Sequence, residues 1–107
     1  MAARAYAPAG PVLRVPTGDG STVAVQRGDG PDGPRLFLLL NDRYLGTDWV
    51  DASPLGVSDP VPVDTGSFAA AYGDGNGGAV TVTFTWTGRG FRPDRIAPGH
   101  CQTADRC

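Results

Sequence analysis

The chain has 107 residues, 40% of them hydrophobic and 19% charged, with a formal net charge of −2. That length fits one domain. The acidic balance excludes a nucleic-acid binder, because gripping a phosphate backbone takes clustered basic residues and the Arg residues here stand singly, nearly all near an Asp.

All nine basic residues are Arg and all eleven acidic residues are Asp. Lys and Glu, two good helix formers, are absent, while Asp and Gly favour turns. Helix is therefore not expected as a major component. No stretch approaches the roughly 18 apolar residues that a membrane-spanning helix needs. The start, from Met1 to Pro8, lacks the apolar core of a signal peptide. Read as it stands the chain carries no export address, and an upstream segment would change that expectation.

In chain order, residues 1–11 are rich in Ala, Pro and Gly and are expected to be a loose N-terminal segment. Val12–Val15 is a short strand candidate stopped by Pro16, and Thr22–Gln26, rich in β-branched residues, is the next. Gly28–Pro34 reads only as a loop. Arg35–Leu40 carries five consecutive apolar residues between turn signals, which favours a strand buried on both faces. Asn41-Asp42 then predicts a two-residue hairpin turn, because both residues tolerate positive φ. That turn pairs Leu40 with Arg43 and runs the return strand on to Trp49.

Residues 51–66 hold Pro54, Pro60 and Pro62 and read as a surface excursion. Ser67–Tyr72 follows as a strand with Phe68, Ala70 and Tyr72 on one face. Gly73–Gly78 is a loop. Val80–Thr87 alternates strictly, with Val80, Val82, Phe84 and Trp86 on one face and four Thr on the other, which fits a half-buried strand and no helix. Tyr72 and Val80 flank the Gly loop and so predict a second hairpin. Phe91-Arg92 is a last edge strand, and little order is expected beyond Pro98. The sum is all-β: one domain over 12–95, built as a small antiparallel sandwich or partly open barrel of about six short strands joined by hairpins, with a loose tail over 96–107.

Asp64-Thr65-Gly66-Ser67 resembles the aspartic-protease signature, in which two carboxylates share one proton. A chain this short would have to dimerise to bring two copies of Asp64 together, and no apolar pair followed by Gly stands downstream. A turn leading into a strand accounts for the same residues. Asp74–Gly78, and Asp29 with Asp32, offer oxygen ligands to calcium, yet a helix-flanked calcium loop closes with a Glu that this chain does not contain. With no Lys anywhere, a phosphate-cradling Gly-rich loop ending in Lys is excluded. His100, Cys101 and Cys107 are three zinc-type ligands crowded at one end, a poor match to the two separated pairs of a structural site. No catalytic residue, metal site or cofactor is assigned. Cys101 and Cys107 either pair as a disulfide, which would imply an oxidising compartment, or stay as two free thiols. Trp49 and Tyr44 either pack in the core or offer a stacking surface to carbohydrate.

Leu36-Phe37-Leu38, Tyr44-Leu45-Gly46-Thr47 and Val80–Trp86 together form a pattern that resembles the actinobacterial LppP/LprE lipoproteins over about residues 35–87. In that family an apolar strand precedes an aromatic-aliphatic-Gly-Thr step, and a later alternating strand ends in Trp. The chain departs from it in having no lipidated Cys and no signal segment. The resemblance implies an exported or envelope-anchored relative without enzymatic activity, and no site residue carries over. The expectation is therefore a non-enzymatic, extracytoplasmic binding or structural domain associated with the envelope or cell wall. A carbohydrate-binding module through Trp49 and Tyr44 is the alternative, and an aspartic-protease-like dimer through Asp64 the remote one.

Overall fold

A computed structural model of the chain describes residues 7–30, 33–49 and 55–100. The strands are β1 (Ala7–Pro8), β2 (Leu13–Pro16), β3 (Thr22–Gly30), β4 (Gly33–Leu40), β5 (Arg43–Thr47), β6 (Val61–Asp64), β7 (Ser67–Gly73), β8 (Ala79–Trp86) and β9 (Phe91–Pro93). They form two antiparallel sheets. The first runs β1-β3-β4-β5 with β2 also on β3, and the second runs β6-β7-β8-β9. The sheets pack together as a small sandwich and do not close into a barrel, and the described residues contain no helix.

Alternation in the sequence sets the core. Val23, Val25, Leu36 and Leu38 point inward from the first sheet and meet Phe68, Ala70, Tyr72, Val82 and Phe84 from the second. Removing such a side chain from water is worth roughly 1.5–3 kcal/mol for each large residue. The registers Phe68↔Phe84, Ala70↔Val82 and Tyr72↔Val80 hold the inward residues of β7 and β8 side by side, and the Phe68 and Phe84 rings stack at 4.9 Å. The Thr residues face the other way, with Thr81 and Thr85 exposed. The expected hairpin across the Gly loop is present, and so is the edge strand at Phe91-Arg92.

The Asn41-Asp42 turn forms as expected. Both residues have positive φ, 48° and 68°, and Leu40 pairs with Arg43. Asn41 also binds outward, its Oδ1 accepting the Thr22 N–H at 3.1 Å. The return strand stops at Thr47 and does not reach Trp49. A register shift between Leu38 and Leu39 marks a bulge there, and the chain then turns Asp48 and Trp49 inward.

Several expectations fail for identifiable reasons. Gly28–Pro34 is not all loop, since β3 runs to Gly30 and β4 starts at Gly33. Gly28 serves packing: a Cβ there would lie 2.7 Å from the Phe37 ring. Arg35–Leu40 is not buried on both faces; Leu36 and Leu38 are buried, whereas Phe37 and Leu39 are only partly covered on the outer side. The N-terminal residues are not all loose, because Ala7-Pro8 pairs with Gly28-Asp29 and the Ala9 N–H donates to the Arg27 carbonyl at 2.9 Å. Within the supposed excursion, Val57 bridges to Tyr72 and Val61–Asp64 pairs with β7. Pro8 and Pro62 misled the reading, yet like Pro16 and Pro93 each sits in an edge strand, where a missing N–H costs no ladder bond.

The tail expectation is corrected in part. Ala97 and His100 are buried, His100 at 6% exposure. Cys101 and Cys107, and with them the disulfide question, lie outside the described residues, as does Asp32.

Candidate functional site

The two long sides of the sandwich differ. On one, β2 and β6 come together, and the Gly66 N–H donates to the Pro16 carbonyl at 2.7 Å. A φ of 74° at Gly66, a value that favours glycine, directs that N–H out of the β6–β7 turn. On the other side the edges are β5 and β9, and among the described residues no backbone hydrogen bond joins them. This seam opens into a cavity of about 250 Å³. Its apolar lining comes from Leu45 and Phe91, with the buried Leu38, Phe68 and Phe84 behind them; Gly46, Thr47 and Gly90 add polar surface, and Asp48 and Arg89 are its two charged lining residues.

Asp48 is placed by the turn that ends β5. Its Oδ1 accepts the N–H of Leu36 at 3.2 Å and of Trp49 at 3.0 Å, and its Oδ2 accepts the Tyr72 hydroxyl at 2.5 Å. Burial pushes its carboxyl above the ordinary value, while the hydrogen bonds from Tyr72, Leu36 and Trp49 and the charge on His100 pull it back. Burial, and then the neighbouring Asp48 carboxylate, hold the Tyr72 proton well above the ordinary tyrosine range. Around this pair the rings close in: His100 stacks on Trp49 at 5.5 Å and meets Tyr72 edge-on at 5.7 Å, and Trp49 meets Phe84 at 5.7 Å. The cluster fixes one end of the seam with a polar bond between the sheets.

Trp49 is 2% exposed and Tyr44 54%. Trp49 belongs to the inter-sheet core, whereas Tyr44 sits on the outer face beside Phe37. They are not brought together, so the stacking surface expected of the pair is not assembled. Asp64 is exposed at the end of β6, with its Oδ1 accepting the Thr65 N–H at 2.9 Å. The Asp74 carboxylate caps its own loop by accepting the N–H of Asn76 and of Gly78, and Asp29 pairs with Arg27 at 3.1 Å. Among the described residues, no three His, Cys, Asp or Glu side chains converge as a metal site.

No family model, curated protein or solved structure matches this chain. The residues of the seam therefore carry the functional argument by themselves. Sequence reasoning missed Asp48, Arg89 and the seam. The available signal was an acid directly before an aromatic residue, Asp48-Trp49, where an inward-facing strand ends.

Proposed function

We propose that this domain is a non-catalytic binding module that holds a small ligand with both polar and apolar parts in the seam between β5 and β9. The carrying observation is the asymmetry of the sandwich: on one side the Gly66–Pro16 bond joins the two sheets, and the other opens into a cavity lined about equally by polar and apolar surface. A volume of about 250 Å³ lies near the lower end of ligand-pocket sizes, roughly 300–1,000 Å³, so the ligand is of fragment size. A location outside the cytosol goes with this reading and is supported by the resemblance to envelope lipoproteins and by the Cys101/Cys107 pair. Recovery of the native protein only from cytosol, with both thiols reduced, would remove that part.

The binding claim is tested with Nile red, a neutral apolar dye that brightens on leaving water. The expected result is saturable one-site binding that is lost in Leu45→Trp, a variant that fills the cavity from β5, with cooperative melting retained. Absent binding, or equal binding by a folded Leu45→Trp, would overturn the claim.

A further inference from the structure

We infer that the ligand class of the seam is a small carboxylic acid with an apolar body, bound with its acidic head outward on Arg89; this rests on the seam reading above. The hydrogen-bond register orders the seam from end to end. The Trp86 N–H donates to the Gly66 carbonyl and the Gly66 N–H to the Pro16 carbonyl, each at 2.7 Å. Pro16 pairs with Thr22, and the Asn41 N–H donates to the Thr22 carbonyl at 3.0 Å. The turn that carries Arg89, between β8 and β9, is therefore at the same end as the Asn41-Asp42 turn. From that end β5 runs away through Leu45 to Thr47, which leaves Asp48 at the far end.

The two charged groups thus sit at opposite ends of the trough, and they differ in what they still need. Asp48 already accepts three hydrogen bonds. Arg89 is exposed and, like Arg14, Arg43 and Arg92, has no carboxylate partner among the described residues; of these four it alone lines the cavity. Arg27 and Arg95 do have such partners, in Asp29, Asp59 and Asp94. A guanidinium is a planar fork whose geometry matches a carboxylate. At the inner end a ligand carboxylate would meet the acceptor oxygens of Asp48, already occupied by three donors, and would find no free donor there. The placement of the two charged residues therefore sets the orientation, with the apolar body along the half-buried Leu45 and Phe91 and the head at the mouth.

The test is displacement of Nile red from the intact chain at neutral pH by octanoate and by 1-octanol, which share a chain length and differ in the head. Octanoate is expected to displace the dye at a concentration lower by about 1.5- to fivefold, the weight of an exposed ion pair. Arg89→Gln is expected to erase that advantage without changing displacement by octanol. Equal displacement by the two probes would overturn the carboxylate assignment and leave the seam as a binding site. Failure of the dye to bind would instead remove the seam reading itself.

Discussion

Tyr72 donates its hydroxyl hydrogen to Asp48 across the two sheets, from β7 to the turn that ends β5. The bond lies among buried rings, and Asp48 is held in addition by two backbone N–H groups. Removing the donor from a half-buried acceptor such as Asp48 costs up to about 1–3 kcal/mol, the upper end applying to full burial. Tyr72→Phe is expected to lower the stability to urea by that amount while preserving the fold, since the ring still fills its place. An unchanged unfolding midpoint would show that the bond contributes nothing net.

The same group predicts a pH dependence of unusual sign. Burial, outweighing the opposing donors, raises the Asp48 carboxyl above its ordinary 3.8, so the folded state holds this proton more tightly than the unfolded chain does. The resulting stabilisation is complete below the ordinary value and is lost as pH rises through the raised native value. Tyr72, the N–H groups of Leu36 and Trp49, and His100 are the groups acting on Asp48, and they limit the loss without reversing it. Relative to Asp48→Asn, which cannot titrate there, the natural protein is expected to lose stability from about pH 3 to neutrality. Urea midpoints for both proteins across that range check it, and a natural protein that gains on Asp48→Asn as pH rises would contradict it.

The fold was legible wherever one residue sets the local geometry. The Thr-spaced alternation of Val80–Thr87 fixed which side of β8 is buried, and Asn41-Asp42 fixed a hairpin because both residues accept positive φ. Prolines and glycines misled, because in strands their meaning depends on neighbours the sequence does not show. Pro62 lies on an edge, and Gly28 lies under the Phe37 ring. The seam was not legible for the same reason. It depends on which edges meet, and Gly66 on Pro16 closes one side while nothing in the local pattern of β5 or β9 reports that the other stays open.

Phe84 ties three parts of the core. Its ring stacks on Phe68 and meets Trp49, and it is 1% exposed. Phe84→Ala is expected to cost about 3–5 kcal/mol, the range for emptying a buried aromatic site. Thermal unfolding is the check, and a loss below about 1 kcal/mol would mean that the sheets repack around the cavity.

The hairpin turn offers a gain. Asp42 sits at φ 68°, where a side chain is tolerated at some cost and Gly is favoured at the second position of a two-residue turn. Asp42→Gly is expected to raise stability by up to about 1 kcal/mol. Asn41→Gly is expected to lower it, because Asn41 also holds Thr22 and Ser21. Opposite signs in paired melting curves confirm the assignment; a gain from both would place the strain at Asn41.

The open seam is tested most directly by mapping amide chemical shifts while octanoate is titrated into the isotopically labelled chain. The amides of Leu45, Gly46 and Thr47 and of Arg89, Gly90 and Phe91 are expected to move together along one binding curve, with those of Val15 and Gly66 on the sealed side unmoved. Shifts gathered on the outer threonine face of β8, or on the sealed side, would contradict a ligand site between β5 and β9.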